Sequence, residues 1–378
     1  MVERVRVAVA GLGAVARAVY LPILTRRSDR FEIVGLCDLS GEAADAMGER
    51  FSVAPAQRFT ALEKMLDTVE PDALAVLTSG SHTEAALAGL DRGIAVLCEK
   101  PLAMTVREAD LLDRAVGGRE DRLMLGYMKV YDPAVRRAAE LVEGRSPARA
   151  VDVTVLHPSG EAQLAMSELG PGAFELPTDL RIDLEEAQKA LEAEALGEAA
   201  AAALGGLYSG VLLGSVVHDL AVLRTLGVEL TAIDHADRWP HESVPASVSF
   251  AARTAEGVRV NVAWHYLDAY PAYREQVRWH DQHGSVELEF PSPYLLRAPT
   301  TLRTLTSTGE GASEKRFASH VEAFEEQLLA FHAMVTDGVV PAAGVDEGRA
   351  DVVTCQRVAA ALARREGLEL GGEAATMP

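Results

Sequence analysis

The sequence predicts an α/β protein: a doubly wound parallel sheet at the N-terminus, then an α+β region with a large open, mostly antiparallel sheet. Three observations carry this expectation. Residues 5–10, V-R-V-A-V-A, alternate β-branched and small apolar side chains, which suits a strand buried on both faces of a parallel sheet. Short apolar strands then alternate with segments of helical spacing through about residue 125. Beyond residue 230 the rhythm changes to strands separated by turn residues. A length of 378 residues exceeds one typical domain, so two are expected, 1–125 and 126–378, with a last helix at 346–366 placed to pack back on the first.

The first strand runs into Gly11, Gly13 and Ala16, a G-x-G-x-x-A dinucleotide fingerprint. Gly11 permits a tight turn, Gly13 lacks the Cβ that would block a pyrophosphate, and Ala16 keeps the next helix near the strand. Ala14 and Val15 open that helix, whose free N–H groups and positive dipole end favour phosphate. A second apolar run, 31–37, ends in Asp38, 22 residues past Ala16. That is near the spacing of an acid that binds the adenosine ribose hydroxyls and repels a 2′-phosphate, which favours NAD over NADP. The competing reading of Asp38 is a turn starter in D-L-S-G, and Ser40 and Arg50 leave room for a phosphate.

Downstream, helical spacing marks 41–51, 61–66 and 82–91, with strands at 57–60, 72–78 and 94–98. A helix at 105–116 has Thr105 as its cap and Glu108 in the capping-box position. An apolar run at 123–130 ends the regular alternation. A helix at 133–143 and a strand at 148–157 come next, and 160–177 reads as irregular. The acidic, alanine-rich stretch 183–203 has high helix propensity but little to bury, so it reads as a solvated surface helix, with a lid as the other option. A more apolar helix covers 212–226. Strands are expected at 230–238, 246–254, 258–265, 273–279 and 285–290, the last four as a meander, and then helices at 317–336 and 346–366.

The formal net charge of −20 argues against an extended nucleic-acid surface. No apolar run of 18 residues is read, so no membrane association is expected, and the early strand leaves no cleavable leader, so a cytoplasmic setting is. Cys37, Cys98 and Cys355 lie in apolar patterns and read as reduced core residues. The ten histidines are scattered, without metal-ligand spacing, so no metal is expected. No G-x-S-x-G elbow supports a serine hydrolase.

Four segments carry a resemblance that spacing alone does not supply: G-L-G-A-V-A-R-A-V-Y-L-P at 11–22, T-S-G-S-H at 78–82, C-E-K-P-L-A at 98–103 and G-Y-M-K-V-Y-D-P at 126–133. In their order and spacing the chain resembles the glucose-fructose oxidoreductase, inositol dehydrogenase and rhizopine-catabolism (Gfo/Idh/MocA) family. The likeness is strong over 1–135 and returns in F-H-A-M-V-T-D-G and V-D-E-G-R-A-D-V-V near the C-terminus. It implies a Rossmann domain, an α+β domain whose open sheet faces a partner subunit in a homo-oligomer (dimer or tetramer), bound NAD or NADP, and a sugar, cyclitol or related alcohol as substrate.

The resemblance also implies roles. Lys100 of E-K-P corresponds to the lysine beside the nicotinamide and the reacting carbinol, where its charge polarises oxygen. Glu99, Thr78, Ser79 and His82 fall in loops along the cofactor, although His82 is equally readable as a helix residue without contact. Lys129 and Tyr131 match a segment lining the substrate pocket, with an interdomain surface as the other reading. Where family members carry G-G-G-x-x-x-D-x-G-x-H-x-x-D, this chain reads Y-S-G-V-L-L-G-S-V-V-H-D-L-A. His218 fits the acid/base histidine, but Gly214 replaces the aspartate one helical turn before it, and Ala221 stands three after it. Asp219 points about 100 degrees round the helix from His218; it and Tyr208 are further pocket candidates. The function so implied is a nicotinamide-dependent dehydrogenase or reductase. Tightly bound NAD used in a redox-neutral cycle, or a cofactor-binding protein without catalysis, are the alternatives that Gly214 keeps open.

Overall fold

The computed structural model describes residues 3–164, 169, 174, 176–241 and 245–377. The N-terminal half begins with β1 (Val5–Ala10), a helix that opens as a π-helix over Ala16–Tyr20 and continues as α1 (Leu21–Arg26), β2 (Phe31–Cys37) and α2 (Gly41–Arg50). It continues with β3 (Arg58–Phe59), α3 (Leu62–Val69), β4 (Ala73–Val76), α4 (Thr83–Asp91), β5 (Ala95–Cys98), α5 (Val106–Val116) and β6 (Leu123–Leu125). The later elements are α6 (Pro133–Glu143), β7 (Ala150–His157), α7 (Gly160–Leu164), α8 (Thr178–Leu196) and α9 (Glu198–Leu207). A π-helical stretch, Tyr208–Val216, leads into α10 (Val217–Thr225). Next come β8 (Ala232–Trp239), β9 (Ser247–Arg253), β10 (Arg259–Tyr266), β11 (Arg274–His280), β12 (Gly284–Phe290), β13 (Thr301–Thr308) and β14 (Gly311–Ala318), then α11 (Ala323–Asp337) and α12 (Val345–Glu366).

Two compact units result, and each is more than a continuous piece of chain. The first takes Met1–Tyr127, Leu169–Leu191 and Phe324–Val352; the second takes Met128–Glu168, Glu192–Ala323 and Val353–Pro378.

The first unit holds a six-stranded sheet in the order β3-β2-β1-β4-β5-β6, and each of its strand pairs is parallel. This is the doubly wound order, whose reversal falls between β1 and β4. The central strands are apolar because helices cover both faces: Val7, Ala8, Val9, Leu74, Val96 and Leu97 are each at most 1% exposed. Thr105 and Glu108 form a complete capping box at the start of α5, as T-x-x-E predicts.

The second unit is built on an eight-stranded sheet in the order β14-β13-β12-β11-β7-β10-β9-β8. All its pairs are antiparallel except β7 with β10. The expected meander is therefore interrupted. β9 and β10 form a hairpin, but β7 lies between β10 and β11, so the chain crosses it after Tyr266 instead of turning back. One sheet face is buried through alternating residues such as Val151, Val153 and Val155.

Three other expectations need correction. β13 and β14 fill a region read without strands, and Phe317 and Ala318 belong to β14 rather than to a helix, which begins only at Ala323. The stretch read as irregular starts with α7, and most of the chain from there to residue 177 lies outside the described residues. Residues Glu198–Thr225 form 28 continuous helical residues, long and apolar enough to cross a bilayer, where the sequence reading expects no apolar run of 18. Interspersed alanine and glycine conceal that run in the sequence. Leu204, Leu207, Val211 and Leu212 along it are at most 2% exposed, as in a core helix.

The acidic stretch forms α8 and α9, split at Gly197, whose φ is +80° and whose Cβ would lie 2.5 Å from the Gly371 Cα. Residues 181–190 are exposed except for half-buried Gln188, the pattern of a solvated helix.

Candidate functional site

In the first unit, the strand-order reversal brings two loops together. Gly11 has φ +90°, and a Cβ there would sit 2.5 Å from the Leu77 carbonyl carbon and oxygen and 2.6 Å from the Thr78 nitrogen. Gly11 thus serves both a left-handed turn and a close approach to the loop after β4. A Cβ on Gly13 would meet nothing within 4 Å. The backbone above it is open, as a bound pyrophosphate requires. Ala16 is fully buried, consistent with close helix packing.

Asp38 braces this loop. Its Oδ2 accepts from the Leu12 N–H at 2.8 Å and its Oδ1 from the Ser40 N–H at 2.9 Å. These are the bonds of a turn-bracing aspartate, and each carboxylate oxygen with one partner keeps a lone pair. Ser40 caps α2 by accepting from the Ala43 N–H at 3.3 Å. Beside the loop, the Thr78 Oγ1 is buried without a hydrogen-bond partner. An open face over Gly13 and an orphaned hydroxyl beside it fit a dinucleotide. Gly11, Gly13, Ala14 and Val15 would hold its phosphates and Asp38 its ribose.

The E-K-P turn lies at the end of β5 and is held from beneath. Glu99 is 6% exposed; its Oε1 accepts from the Tyr20 hydroxyl at 2.6 Å and its Oε2 from the Lys100 N–H at 3.0 Å. Gln327 donates to the Tyr20 oxygen at 2.9 Å. Burial pushes the Glu99 carboxyl up, with the Lys100 charge opposing. Glu99 thus shapes the turn that presents half-buried Lys100. Gly126 belongs to the same packing, since a Cβ there would lie 3.1 Å from the Glu99 Cα.

His82 is 2% exposed, and both ring nitrogens face backbone carbonyls: Nδ1 lies 2.7 Å from the Pro101 oxygen and Nε2 2.9 Å from the Thr78 oxygen. It ties the T-S-G loop to the E-K-P turn. Burial pushes its pKa down. Ser79 lies within the first of these loops and is exposed.

In the second unit, α10 carries half-buried His218 and, next to it, Asp219 at 1% exposed. Gly214 leaves the preceding turn without a carboxylate; a Cβ there would meet only the Ser209 oxygen, at 3.3 Å. Lys129, 6% exposed, pairs with the Glu275 carboxylate and lies 5.0 Å from the centre of the Phe290 ring. The Tyr273 hydroxyl also donates to Glu275. Tyr131 and Tyr208 are 2% and 0% exposed; Arg136 stacks over Tyr131.

Sequence reasoning missed Glu275, Tyr273, His157 and Trp264. The His157 ring lies 4.9 Å from Trp264 and 5.7 Å from Tyr273, and the Trp264 Nε1 donates to the Ser215 hydroxyl at 2.9 Å. Trp264 is 2% exposed, and the His157 and Tyr273 rings are half-buried. Their signal was available: 273, 275, 277 and 279 share one strand face, which is otherwise apolar.

The fold and glycine cradle define a nicotinamide-dinucleotide-binding Rossmann domain. Residues 5–127 match the Gfo/Idh/MocA oxidoreductase family, NAD-binding Rossmann fold. The chain is 32% identical to inositol 2-dehydrogenase 3 of Saccharopolyspora erythraea over 37% of this chain and 40% of that protein. It is 26% identical to 1,5-anhydro-D-fructose reductase of Ensifer adhaerens over 90% of this chain and 91% of that one. Among solved structures, aldose-aldose oxidoreductase from Caulobacter crescentus superposes with a TM-score of 0.72 at 20% identity, covering 97% of this chain and 98% of that one, a likeness of fold.

Proposed function

We propose that this protein is an NAD(P)-dependent dehydrogenase or reductase acting on a secondary alcohol or ketone of a sugar, cyclitol or sugar-derived intermediate. The carrying observation is the E-K-P turn at the end of β5, in which buried Glu99 accepts from the Lys100 backbone N–H and from the Tyr20 hydroxyl. The bound nicotinamide supplies the hydride chemistry. Lys100 polarises the substrate oxygen, and the cradle and Asp38 fix the cofactor, with NAD preferred because Asp38 would repel a 2′-phosphate. His218 is the proton-transferring group implied by the resemblance. The names of the inositol dehydrogenase and anhydrofructose reductase support a cyclic polyol or sugar. A homo-oligomer joined through the open sheet, free of nucleic acid and membrane, is part of the same reading. Three buried free thiols support a reducing, cytoplasmic setting.

The test is a fluorescence titration with NADH and NADPH, followed by turnover of myo-inositol, D-glucose and methyl α-D-glucoside with NAD+ and NADP+. Binding of NADH and oxidation of at least one alcohol are expected. Absence of both refutes the proposal.

A further inference from the structure

The E-K-P turn is gripped by residues that reach it from distant parts of the chain, all within the first unit. Gln327 lies on α11, Tyr20 ends the π-helical stretch after the glycine cradle, and Glu99 follows β5. The Gln327 Nε2 donates to the Tyr20 oxygen at 2.9 Å. An amide nitrogen only donates, so the Tyr20 oxygen accepts there and its single proton goes to the Glu99 Oε1, 2.6 Å away. The Lys100 N–H donates to the Glu99 Oε2 at 3.0 Å. Both Glu99 oxygens therefore accept, the pattern of a carboxylate. Tyr20 and Gln327 are each 0% exposed, so water replaces neither donor. The Gln327 Oε1 is buried without a partner. That orphaned acceptor costs stability, and the bond to Tyr20 is what the amide contributes in its place.

We propose that Tyr20 and Gln327 are positioning residues for Lys100: their hydrogen bonds, both donated towards Glu99, keep it a carboxylate, and that carboxylate fixes the Lys100 backbone. This rests on the dehydrogenase reading above, in which Lys100 acts on the reacting oxygen. The charge matters because an ionised acceptor bonds an N–H about twice as strongly as a neutral one. Beyond Lys100 the turn is anchored separately. Leu102 is 1% exposed and packs where Gly348 of α12 has no side chain; a Cβ there would lie 2.6 Å from the Leu102 side chain. Loss of the Glu99 bond therefore loosens Lys100 locally and leaves the rest of the turn in place. The titratable groups against Glu99 are Tyr20, Lys100 and the Cys98 thiol. From α11, Gln327 and Phe324, the latter edge-on to the Tyr20 ring at 5.7 Å, bring no charge. Burial raises the Glu99 carboxyl, opposed by the Lys100 charge and by the bonds from Tyr20 and the Lys100 N–H. Burial also keeps Tyr20 a phenol and Cys98 a thiol.

The experiment compares wild type with Tyr20→Phe, or with Gln327→Leu should Tyr20→Phe fold poorly, each alone and combined with Glu99→Gln. Without its donor the folded Glu99 carboxyl rises further, so the variant goes on losing stability at pH values where wild type has stopped. In urea unfolding from acid to neutral pH, the wild-type folding constant over that of the variant should grow about tenfold or more, the worth of one bond to a charged group. No such growth is expected when Glu99→Gln is present. A gap that is the same at every pH overturns the role of the charge. Deuterium exchange of the Lys100 amide, followed by mass spectrometry, should be about tenfold faster in the variant, and equal exchange overturns the grip on the backbone. On whichever of myo-inositol, D-glucose or methyl α-D-glucoside wild type oxidises, kcat should fall about tenfold or more, with NADH affinity within about twofold. Wild-type kcat in the variant overturns the positioning of Lys100. A wild type that binds no NADH and oxidises none of the three sinks the dehydrogenase reading instead, and the pH comparison and amide exchange still decide the hydrogen-bond chain.

Discussion

The two fingerprint glycines make opposite demands, and alanine at each separates them. In Gly11→Ala the new Cβ inherits a φ of +90° and lies 2.5 Å from the Leu77 carbonyl atoms. The left-handed conformation costs about 1–2 kcal/mol, and the obstructing atoms are backbone, so relief requires a shift costing about 1–3 kcal/mol more. A loss of about 2–5 kcal/mol in unfolding free energy is expected, a large part of a typical 5–15 kcal/mol. In Gly13→Ala nothing lies within 4 Å of the new atom, so stability should stay within about 0.5 kcal/mol. That empty space is where a pyrophosphate is expected, so NADH affinity should fall about tenfold or more, equivalent to about 1.4 kcal/mol. Urea unfolding and NADH fluorescence titration on the same preparations read both effects. A Gly13→Ala protein with wild-type affinity, or a Gly11→Ala protein with wild-type stability, would refute the assignment of the cradle.

If the Lys100 charge acts on the reacting oxygen as proposed, Lys100→Met should lower kcat by about a hundredfold or more while NADH affinity changes by only a few-fold; equal losses in both would contradict that role. Asp38→Ser should weaken NADH binding and narrow or reverse the preference over NADPH, read by parallel titrations. The raised Glu99 carboxyl gives a pH signature. Its contribution to stability is fully present below the unfolded value of about 4.3 and is lost as pH rises through the folded value, so Glu99→Gln should flatten the wild-type decline over that window. Thr105→Ala removes half of the capping box and should cost about 1 kcal/mol in thermal or urea unfolding.

The doubly wound half was legible because its central strands are buried on both faces and its turns have chemistry of their own. T-x-x-E announced the cap of α5, and G-L-G announced the cradle. β13 and β14 were not legible. Their segments, T-L-R-T-L-T-S-T and G-A-S-E-K-R-F-A, carry polar residues on both faces, and β14 is exposed along its whole length, so no burial imposed an alternation. The interruption of the meander by β7 is a long-range pairing that no local pattern encodes. Around the E-K-P turn, the support from Tyr20 and Gln327 was not legible, since residues 79 and 307 positions apart in pairing leave no spacing to read. Glu275 is readable in principle as a charged residue on the buried face of R-E-Q-V-R-W. Its bonds with Lys129 and Tyr273 are not, because strand periodicity reports which face a residue takes and says nothing of what it meets there.

The central claim is that hydride moves between a nicotinamide and a carbohydrate carbon on this protein. NADH carrying deuterium at nicotinamide C4, incubated with the ketone forms of myo-inositol and methyl α-D-glucoside, tests it directly by mass spectrometry of the alcohol product. Deuterium at the carbinol carbon with wild type, formed about a hundredfold more slowly with Lys100→Met, is the predicted result. Product alcohol without deuterium from either C4-labelled epimer, or no alcohol with a protein that binds NADH, would contradict it.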